Sequence, residues 1–356
     1  MTRALAAALG VLLAIAVASA AAQDRRLAAA DPRRITDATG RSIALPAKVE
    51  CVFAAGPPAS VLIFALAPDK LIGWPRAPHP DEAPFLPERA AALPALGRLT
   101  GRGNTANVEG VMRAKPDVIV DIGSTSATYV TLAERVFEQI GIPYLLFDGT
   151  LADTPRLLRE VGRAIDASDA AETLARDAER LLREVAERIA RVPDGARPRT
   201  YFARGPNGLT TAPRGSMQAE ALTLAGGYNV IVAPPGFPGN LINVSLEDVL
   251  LAKPDVIIAR DPAFAAAVRG LPGWRDVPAV ASGRVYMPPD VPFGWFDAPP
   301  SLNRLLGVQW LARILHPDLF AEPLAPRVKA FHALYYHREP TDAQIRALLE
   351  AAGPLK

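Results

Sequence analysis

The sequence contains little cysteine or histidine. Cys51 is the only cysteine among 356 residues, and histidine occurs at positions 79, 316, 332 and 337. One cysteine cannot form an internal disulfide, and we interpret Cys51, at the start of an apolar segment, as a packing residue. No two histidines have the i, i+4 spacing of a helical zinc site, since His332 and His337 are five apart. We therefore predict no metal site and no cofactor.

The sequence also lacks a large net charge and the common catalytic motifs. The 39 Lys and Arg nearly cancel the 37 Asp and Glu, whereas nucleic-acid binders concentrate basic residues on one face. Gly101-Arg102-Gly103 is not followed by the Gly-Lys-Ser/Thr of a phosphate-binding loop. No G-x-S-x-G elbow or strand-linked G-x-G-x-x-G occurs either. We predict a protein that is not an enzyme and binds no nucleic acid, with a secreted α/β enzyme and a signalling or scaffold module as the alternatives from other classes.

The first 22 residues are typical of an export signal. Arg3 precedes the apolar run Ala4–Ala18, and small-x-small sites end at Ala20 and Ala22, directly before polar Gln23. The run is shorter than the roughly 20 residues that span a bilayer, so cleavage is favoured over an uncleaved anchor. We predict a signal peptide over residues 1–22 and a mature periplasmic monomer that is not embedded in the membrane.

An internal repeat is the most informative pattern. Residues 108–120 (the first echo segment) match residues 246–258 (the second echo segment) at eight of thirteen positions. Each copy is predicted to start with a helix N-cap, Asn107 or Ser245, and to end its helix at Lys-Pro, where proline disfavours helix. The following Asp-Val-Ile begins a strand of the kind buried in parallel sheets. The offset of 138 residues exceeds solenoid periods and predicts two equivalent α/β lobes.

One long helix is predicted between the two lobes. It starts at Ser168-Asp169, runs to Val192 with its apolar residues on one stripe, and at about 1.5 Å per residue is long enough to reach both lobes. The predicted fold is α/β, with two Rossmann-like lobes joined by a single backbone helix and a ligand cleft between them. The predicted division is residues 23–167 for the N-terminal lobe, 168–193 for the inter-lobe helix and 194–356 for the C-terminal lobe.

The chain resembles the class III periplasmic binding proteins of ABC importers, which include those for ferric siderophores, haem and cobalamin. The resemblance runs from the predicted hairpin at Arg34 to the last helix, and rests on both echo segments, on residues 224–230 (Leu-Ala-Gly-Gly-Tyr-Asn-Val) and on residues 301–307 (Ser-Leu-Asn-Arg-Leu-Leu-Gly). It implies a permease as partner and one exposed docking glutamate on each lobe, at the positions matched here by Glu109 and Glu247. The alternative is that each glutamate only favours its own helix N-terminus, by about 0.3–1 kcal/mol.

The cleft residues are predicted from loops beyond the carboxyl ends of the strands, where open α/β sheets bind ligands. Aromatic candidates on these loops are Trp74, Tyr129, Phe293, Trp295 and Phe296. Arginine candidates are Arg76, Arg98, Arg102, Arg204 and Arg214. The alternatives are lobe packing for each aromatic and a solvated surface charge for each arginine. Since loop residues carry little folding energy, Trp295→Ala is expected to weaken binding without lowering stability.

Arginines beside aromatics favour an anionic and partly apolar ligand. We predict a metal chelate, with a ferric siderophore first. Haem and an oxyanion such as molybdate also fit, and cobalamin fits less well because it offers arginine little negative charge. A bare divalent metal is disfavoured, because the histidine and carboxylate sets of the metal-binding family members are missing.

Overall fold

The computed structural model describes residues 33–101, 108–237 and 239–355. The predicted signal peptide, the cleft candidate Arg102 and the predicted N-cap Asn107 lie outside these ranges. Within them the chain is an α/β protein with two parallel sheets, one in each half of the sequence.

The N-terminal half contains a hairpin and a parallel sheet. The hairpin pairs β1 (Arg33–Thr36) with β2 (Ser42–Leu45) around Gly40, whose φ of 82° suits glycine, and this confirms the predicted hairpin. The sheet has the order β3 (Val52–Ala54), β4 (Val118–Gly123), β5 (Tyr144–Asp148). Residues 70–74, although mostly apolar, form only isolated bridges, Leu71 with Val52 and Trp74 with Ala95.

The C-terminal half repeats this plan with one more strand. Its parallel sheet has the order β11 (Val285–Tyr286), β10 (Val256–Ala259), β6 (Arg199–Ala203), β8 (Tyr228–Asn229). A short antiparallel pair, β7 (Thr210–Thr211) with β9 (Ile242–Asn243), lies outside that sheet. All four residues of β10 are buried, as expected for a continuous apolar run in a parallel sheet.

Thirteen α-helices lie within the described ranges. They are α1 (Pro57–Leu66), α2 (Glu88–Ala91), α3 (Val108–Ala114), α4 (Ala127–Ile140), α5 (Thr154–Ala164), α6 (Ser168–Ile189), α7 (Glu220–Leu224), α8 (Leu246–Ala252), α9 (Pro262–Ala267), α10 (Pro278–Ala281), α11 (Arg304–Leu315), α12 (Ala325–Tyr335) and α13 (Asp342–Ala351). No helix in the part of the chain that the structure describes is both long and apolar enough to cross a membrane.

The two echo segments have the same structure in both halves. Helices α3 and α8 each end at a lysine with left-handed backbone, at φ 48° for Lys115 and 43° for Lys253. The aspartate two residues later then accepts a backbone N–H at 2.8 Å from the neighbouring chain segment, Asp117 from Cys51 and Asp255 from Arg199. Each echo segment therefore contains the turn from helix to strand, and its aspartate bonds the start of that strand to the neighbouring strand of the sheet. The equivalence of the two lobes is confirmed.

Helix α6 joins the lobes. Its 22 residues, about 33 Å long, pack against α1 and α5 of the N-terminal half and against α7 and α11 of the C-terminal half. One hydrophobic core extends across all of these elements, so the helix is the shared support of both sheets.

The C-terminal helices contact both halves. Between α12 and α13, His337 Nε2 lies 3.0 Å from the Phe64 carbonyl oxygen of α1, and Arg338 donates to the Leu86 carbonyl at 2.7 Å. Tyr335 in α12 donates to the Leu174 carbonyl of α6 at 3.1 Å. The segment predicted to belong to the C-terminal lobe thus also holds the N-terminal lobe in place.

Candidate ligand-binding cleft

A cavity of about 250 Å³ lies where the two lobes face each other. Its walls are formed by α1, by the proline-rich segment after Trp74, by Arg98 and by the loop before α11. The lining residues are Pro57, Ser60, Val61, Trp74, Pro75, Arg76, Pro78, Glu82, Leu86, Arg98, Phe293 and Pro299. Four predicted cleft residues therefore meet in this cavity, namely Trp74, Arg76, Arg98 and Phe293.

The N-terminus of α1 opens onto the cavity. Strand β3 is followed by Gly56, the extended N-cap residue, and by Pro57 and Pro58 in the first turn. Glycine is needed at position 56, because a Cβ there would lie 2.7 Å from the Thr100 hydroxyl oxygen. The positive end of the helix dipole consequently faces a cavity lined by Pro57 and Ser60, which favours a negatively charged ligand.

Two arginines lie in the cavity wall, one of them paired with a carboxylate of the same wall. Arg76 is mostly exposed and forms a bidentate ion pair with Glu82, in which Arg76 Nη1 donates to Glu82 Oε2 at 2.8 Å. Arg98 precedes Leu99 and Thr100, whose backbone N–H groups both donate to the Ala55 carbonyl, at 2.8 and 3.1 Å. These bonds fix the Arg98 segment against the end of β3, so the arginine is held at the cavity wall.

An aromatic wall closes one side. Trp74 is 4% exposed, donates its indole N–H to the Ala90 carbonyl at 2.7 Å, and packs on Phe64 at 5.3 Å between ring centroids. Phe293 from the other lobe approaches Trp74 at 5.8 Å and Tyr336 at 5.2 Å. The ligand would meet both the flat apolar surface and the arginines.

A buried carboxyl lies behind the Arg98 segment. Asp121, in β4, is 3% exposed and accepts hydrogen bonds from the hydroxyls of Thr100 at 3.0 Å and Tyr144 at 3.2 Å. Burial raises the pKa of Asp121 to about 6. The bond to Thr100 ties the cleft segment to the central strand of the N-terminal sheet.

A second charged group lies at the carboxyl ends of the C-terminal strands. Arg204 follows β6 and pairs with Asp297, whose side chain is nearly buried, while its guanidinium lies over the Phe202 ring. Arg260 follows β10 and approaches Asp297 at 3.4 Å and Asp290 at 3.3 Å. Burial raises the pKa of Asp290, and the charges of Arg76 and Glu82 across the cleft act on it as well. Arg204 is therefore held in this ion-pair group beside the cleft rather than in the cavity wall.

Arg214 and Tyr129 lie away from the cavity wall. The Arg214 guanidinium donates to the Asn229 carbonyl at 2.8 and 3.1 Å and lies 4.1 Å from the centroid of the Tyr228 ring. These contacts give it a structural role at the edge of the C-terminal sheet. Tyr129 packs in the first turn of α4 against the outer core of the N-terminal lobe.

Trp295 and Phe296 are core residues. Their exposed fractions are 0% and 1%, and Phe296 packs on Phe202 with ring centroids 4.3 Å apart. The Trp295 backbone lies so close to α11 that a Cβ on Gly307 would be 1.7 Å from its carbonyl oxygen. The loop that carries them folds inward beneath Phe293, which the sequence alone did not indicate, so we leave both residues out of the proposed site.

The two predicted docking glutamates are exposed in the first turns of matching helices. Glu109 lies in α3 and Glu247 in α8. At α8 the N-cap prediction is confirmed, because Ser245 accepts the Asp248 N–H at 3.1 Å and the Asp248 carboxylate accepts the Ser245 N–H. Asp248 thus completes the capping box, which leaves Glu247 available for other contacts.

Sequence reasoning missed part of the cavity wall. Ser60 and Val61 lie one turn into α1, a mostly apolar helix whose sequence is typical of a core helix rather than of a binding site. Glu82 and Leu86 belong to the proline-broken stretch 75–96, which has no periodicity to interpret. Within the described ranges, no three histidine, cysteine or acidic side chains group in a way that could hold a metal ion.

Comparison with known proteins finds solute-binding proteins of similar sequence and fold. A solved ABC transporter solute binding protein from Sulfurospirillum deleyianum is 30% identical, with a TM-score of 0.81 over 89% of this chain and 99% of that one. The molybdate-binding protein MolA of Haemophilus influenzae is 26% identical over 262 residues, 67% of this chain and 72% of that protein. Its solved structure with bound molybdate has the same fold, with a TM-score of 0.70 over 87% of this chain and 99% of that one at 21% identity.

The family assignment follows from the match along the sequence. The profile of periplasmic binding proteins covers residues 66–292, which include Trp74, both echo segments and helix α6. Such proteins bind small ligands, work with the permease of an ABC transporter and are not enzymes. The chain belongs to the periplasmic binding protein family.

Proposed function

We propose that this binding component captures a small oxyanion of the molybdate type and delivers it to its permease. The observation that carries the proposal is the small cavity at which Arg76, Arg98 and the N-terminus of α1 converge. Guanidinium groups bind oxyanions with charge-assisted hydrogen bonds, and the positive end of the α1 dipole favours a negative charge in the cavity. The likeness to the molybdate-binding protein of H. influenzae supports the same ligand class.

The size of the cavity favours an oxyanion over the ferric siderophore that the sequence favours. Pockets for drug-sized ligands occupy about 300–1,000 Å³, and this cavity has about 250 Å³. The wall formed by Trp74 and Phe293 nevertheless offers a surface on which an aromatic chelate could stack, so a ferric siderophore is the second candidate.

The proposal includes the location and form of the protein. We propose that residues 1–22 direct export and are removed, that the mature protein is a periplasmic monomer, and that the lobes meet at α6 near residues 168–193. The family assignment supports periplasmic delivery.

Replacing Arg98 by alanine should weaken molybdate binding by about tenfold to a hundredfold. A hydrogen bond to a charged group contributes about 1.5–3 kcal/mol, and each 1.4 kcal/mol is tenfold in Kd. Isothermal titration of the purified protein with molybdate, sulfate and a ferric catecholate chelate measures this. Arg214→Ala is the matched control, because that guanidinium is bonded to the Asn229 carbonyl and does not line the cavity.

Two results would change the ligand assignment. Binding of the ferric chelate without binding of molybdate would replace the oxyanion by the second candidate. Unchanged molybdate affinity in Arg98→Ala, with normal wild-type binding, would place the anion elsewhere.

Replacing Glu109 and Glu247 by alanine should lower uptake through the importer severalfold, and the double variant more so, at unchanged ligand affinity. Exposed carboxylates on each lobe can meet basic groups of the permease without touching the cleft. Charge reversal should be worse than alanine, and salt should weaken the complex. Uptake into proteoliposomes measures this, with exposed Glu134→Ala in α4 as control. Normal uptake by the double variant would leave these glutamates only a helix-terminal role.

A further inference from the structure

Exposed apolar side chains accompany both predicted docking glutamates. The described residues include five large apolar side chains that are clearly exposed, which are Met112 at 51%, Phe137 at 49%, Tyr228 at 39%, Val232 at 63% and Leu251 at 80%. Two of these five lie on the echo helices, Met112 on α3 and Leu251 on α8. Leu251 is the most exposed of the set.

Each of the two shares a helix face with its glutamate. Met112 is three residues after Glu109, and Leu251 is four residues after Glu247. Side chains at these spacings are neighbours on the surface of a helix. The opposite faces are fixed in the core, because Val111 and Val249 are both fully buried. Both helices therefore turn the same combination, one carboxylate and one apolar side chain, toward solvent.

The fold of this chain gives no use for these two side chains. Isolated apolar residues on a surface are common and need no explanation. Here, however, the same pairing recurs on both lobes, 139 residues apart for the apolar members and 138 for the glutamates. The glutamates occupy equivalent positions of the two echo helices and the apolar side chains follow them by three or four residues, so the recurrence of this pairing on both lobes points to a partner that presents two similar surfaces.

We propose that Met112 and Leu251 are apolar anchors for the permease, each inserted into a depression rimmed by basic groups that pair with the adjacent glutamate. The proposal rests on the docking role proposed for Glu109 and Glu247, and extends it from charge to a mixed apolar and ionic contact. An apolar side chain in a desolvated pocket, surrounded by a polar rim, is the usual form of an interface hot spot.

The charges beside the anchors make the two faces unequal. Exposed Asp248 adds a second negative charge on the α8 face, while exposed Arg113 cancels the charge of Glu109 on the α3 face. Charge complementarity then assigns the more basic of the two permease surfaces to the C-terminal lobe. This asymmetry would fix which lobe meets which surface.

The test measures the affinity of the ligand-free protein for its importer complex in nanodiscs, so that the result does not depend on the identity of the anion. Leu251→Ser is expected to weaken binding about tenfold, as burial of a leucine side chain predicts, and Met112→Ser less, since Met112 is 51% exposed and Leu251 80%. Leu251→Met keeps an apolar anchor and should bind like the wild type. Molybdate affinity and melting temperature should not change in any of the three.

Salt separates the apolar contact from the ionic one. In about 0.5 M salt the effect of Glu247→Ala should shrink because exposed charges are screened, while the loss caused by Leu251→Ser should persist. If both serine variants bind the importer normally while the glutamate variants bind it weakly, the apolar anchors are wrong and the docking role of the glutamates stands. Normal binding of all four would overturn both. Dimerisation of the wild type that Leu251→Ser abolishes, measured by sedimentation, would make a second copy the occupant and also overturn the proposal.

Discussion

Trp295→Ala is expected to destabilise the ligand-free protein by about 3–5 kcal/mol, the usual effect of truncating a buried large aromatic side chain. Trp295 is fully buried and packed in the core that both lobes share. Its backbone lies against Gly307 of α11, so the loop cannot move inward to fill the cavity left by the indole. Urea unfolding followed by circular dichroism measures the change in the free energy of unfolding.

A conservative variant separates packing from polarity. The Trp295 indole N–H has no hydrogen-bond partner among the described residues. Trp295→Phe therefore removes no hydrogen bond and should be much less destabilising than alanine. A Trp295→Ala protein with wild-type stability and weakened ligand binding would return this residue to the cleft, as the sequence alone suggests.

The fold could be predicted because its main signals are local. Within thirteen residues, each echo segment predicts a helix, the end of that helix and a buried strand. The structure has all three features in both lobes, including the left-handed backbone of Lys115 and Lys253. Helix α6 shows its apolar stripe over 22 residues. Short strands such as β7 and β9, with two residues each, carry no periodicity and were not predicted.

The site was predictable only in part, because a loop's direction depends on tertiary contacts. The aromatic residues of the segment 293–296 lie in two environments that their types do not distinguish. Phe293 lines the cavity, whereas Trp295 and Phe296 point into the core beneath it. Likewise Arg98 lines the cavity, while Arg214 donates to the Asn229 carbonyl and lies over the Tyr228 ring. Burial of a loop aromatic and pairing of an arginine are decided by partners distant in sequence.

A buried arginine that links the lobes escaped sequence reasoning altogether. Arg304, at the start of α11, is 1% exposed. Its Nη2 donates to the Gly149 carbonyl of the N-terminal half at 2.8 Å, and its Nη1 donates to the Met217 carbonyl and Glu220 Oε2 of the C-terminal half, both at 2.9 Å. Glu220 Oε2 also accepts the Leu151 N–H at 3.0 Å. The ion pair therefore fastens the loop after β5 to the start of α7.

Arg304→Met should destabilise the protein by about 3–5 kcal/mol, as expected when one partner of a buried ion pair is removed. Methionine leaves the Glu220 carboxylate without its cation and the Gly149 carbonyl without its donor. Burial also lowers the pKa of Arg304, and Glu220 opposes this effect, so the carboxylate offsets part of the unfavourable free energy of burying the guanidinium. Chemical denaturation gives the loss in the free energy of unfolding.

The double variant Arg304→Met/Glu220→Leu tests whether the pair itself is responsible. Removing both charges leaves no uncompensated ion, so the double variant should be more stable than Arg304→Met alone. Its loss in the free energy of unfolding should be clearly smaller than the sum of the losses in Arg304→Met and Glu220→Leu. Because the pair connects the two halves beside the cleft, Arg304→Met should also broaden unfolding, as the lobes lose part of their coupling. Additive single effects, or a wild-type unfolding midpoint for Arg304→Met, would show that the shared core around α6 holds the lobes together without this ion pair.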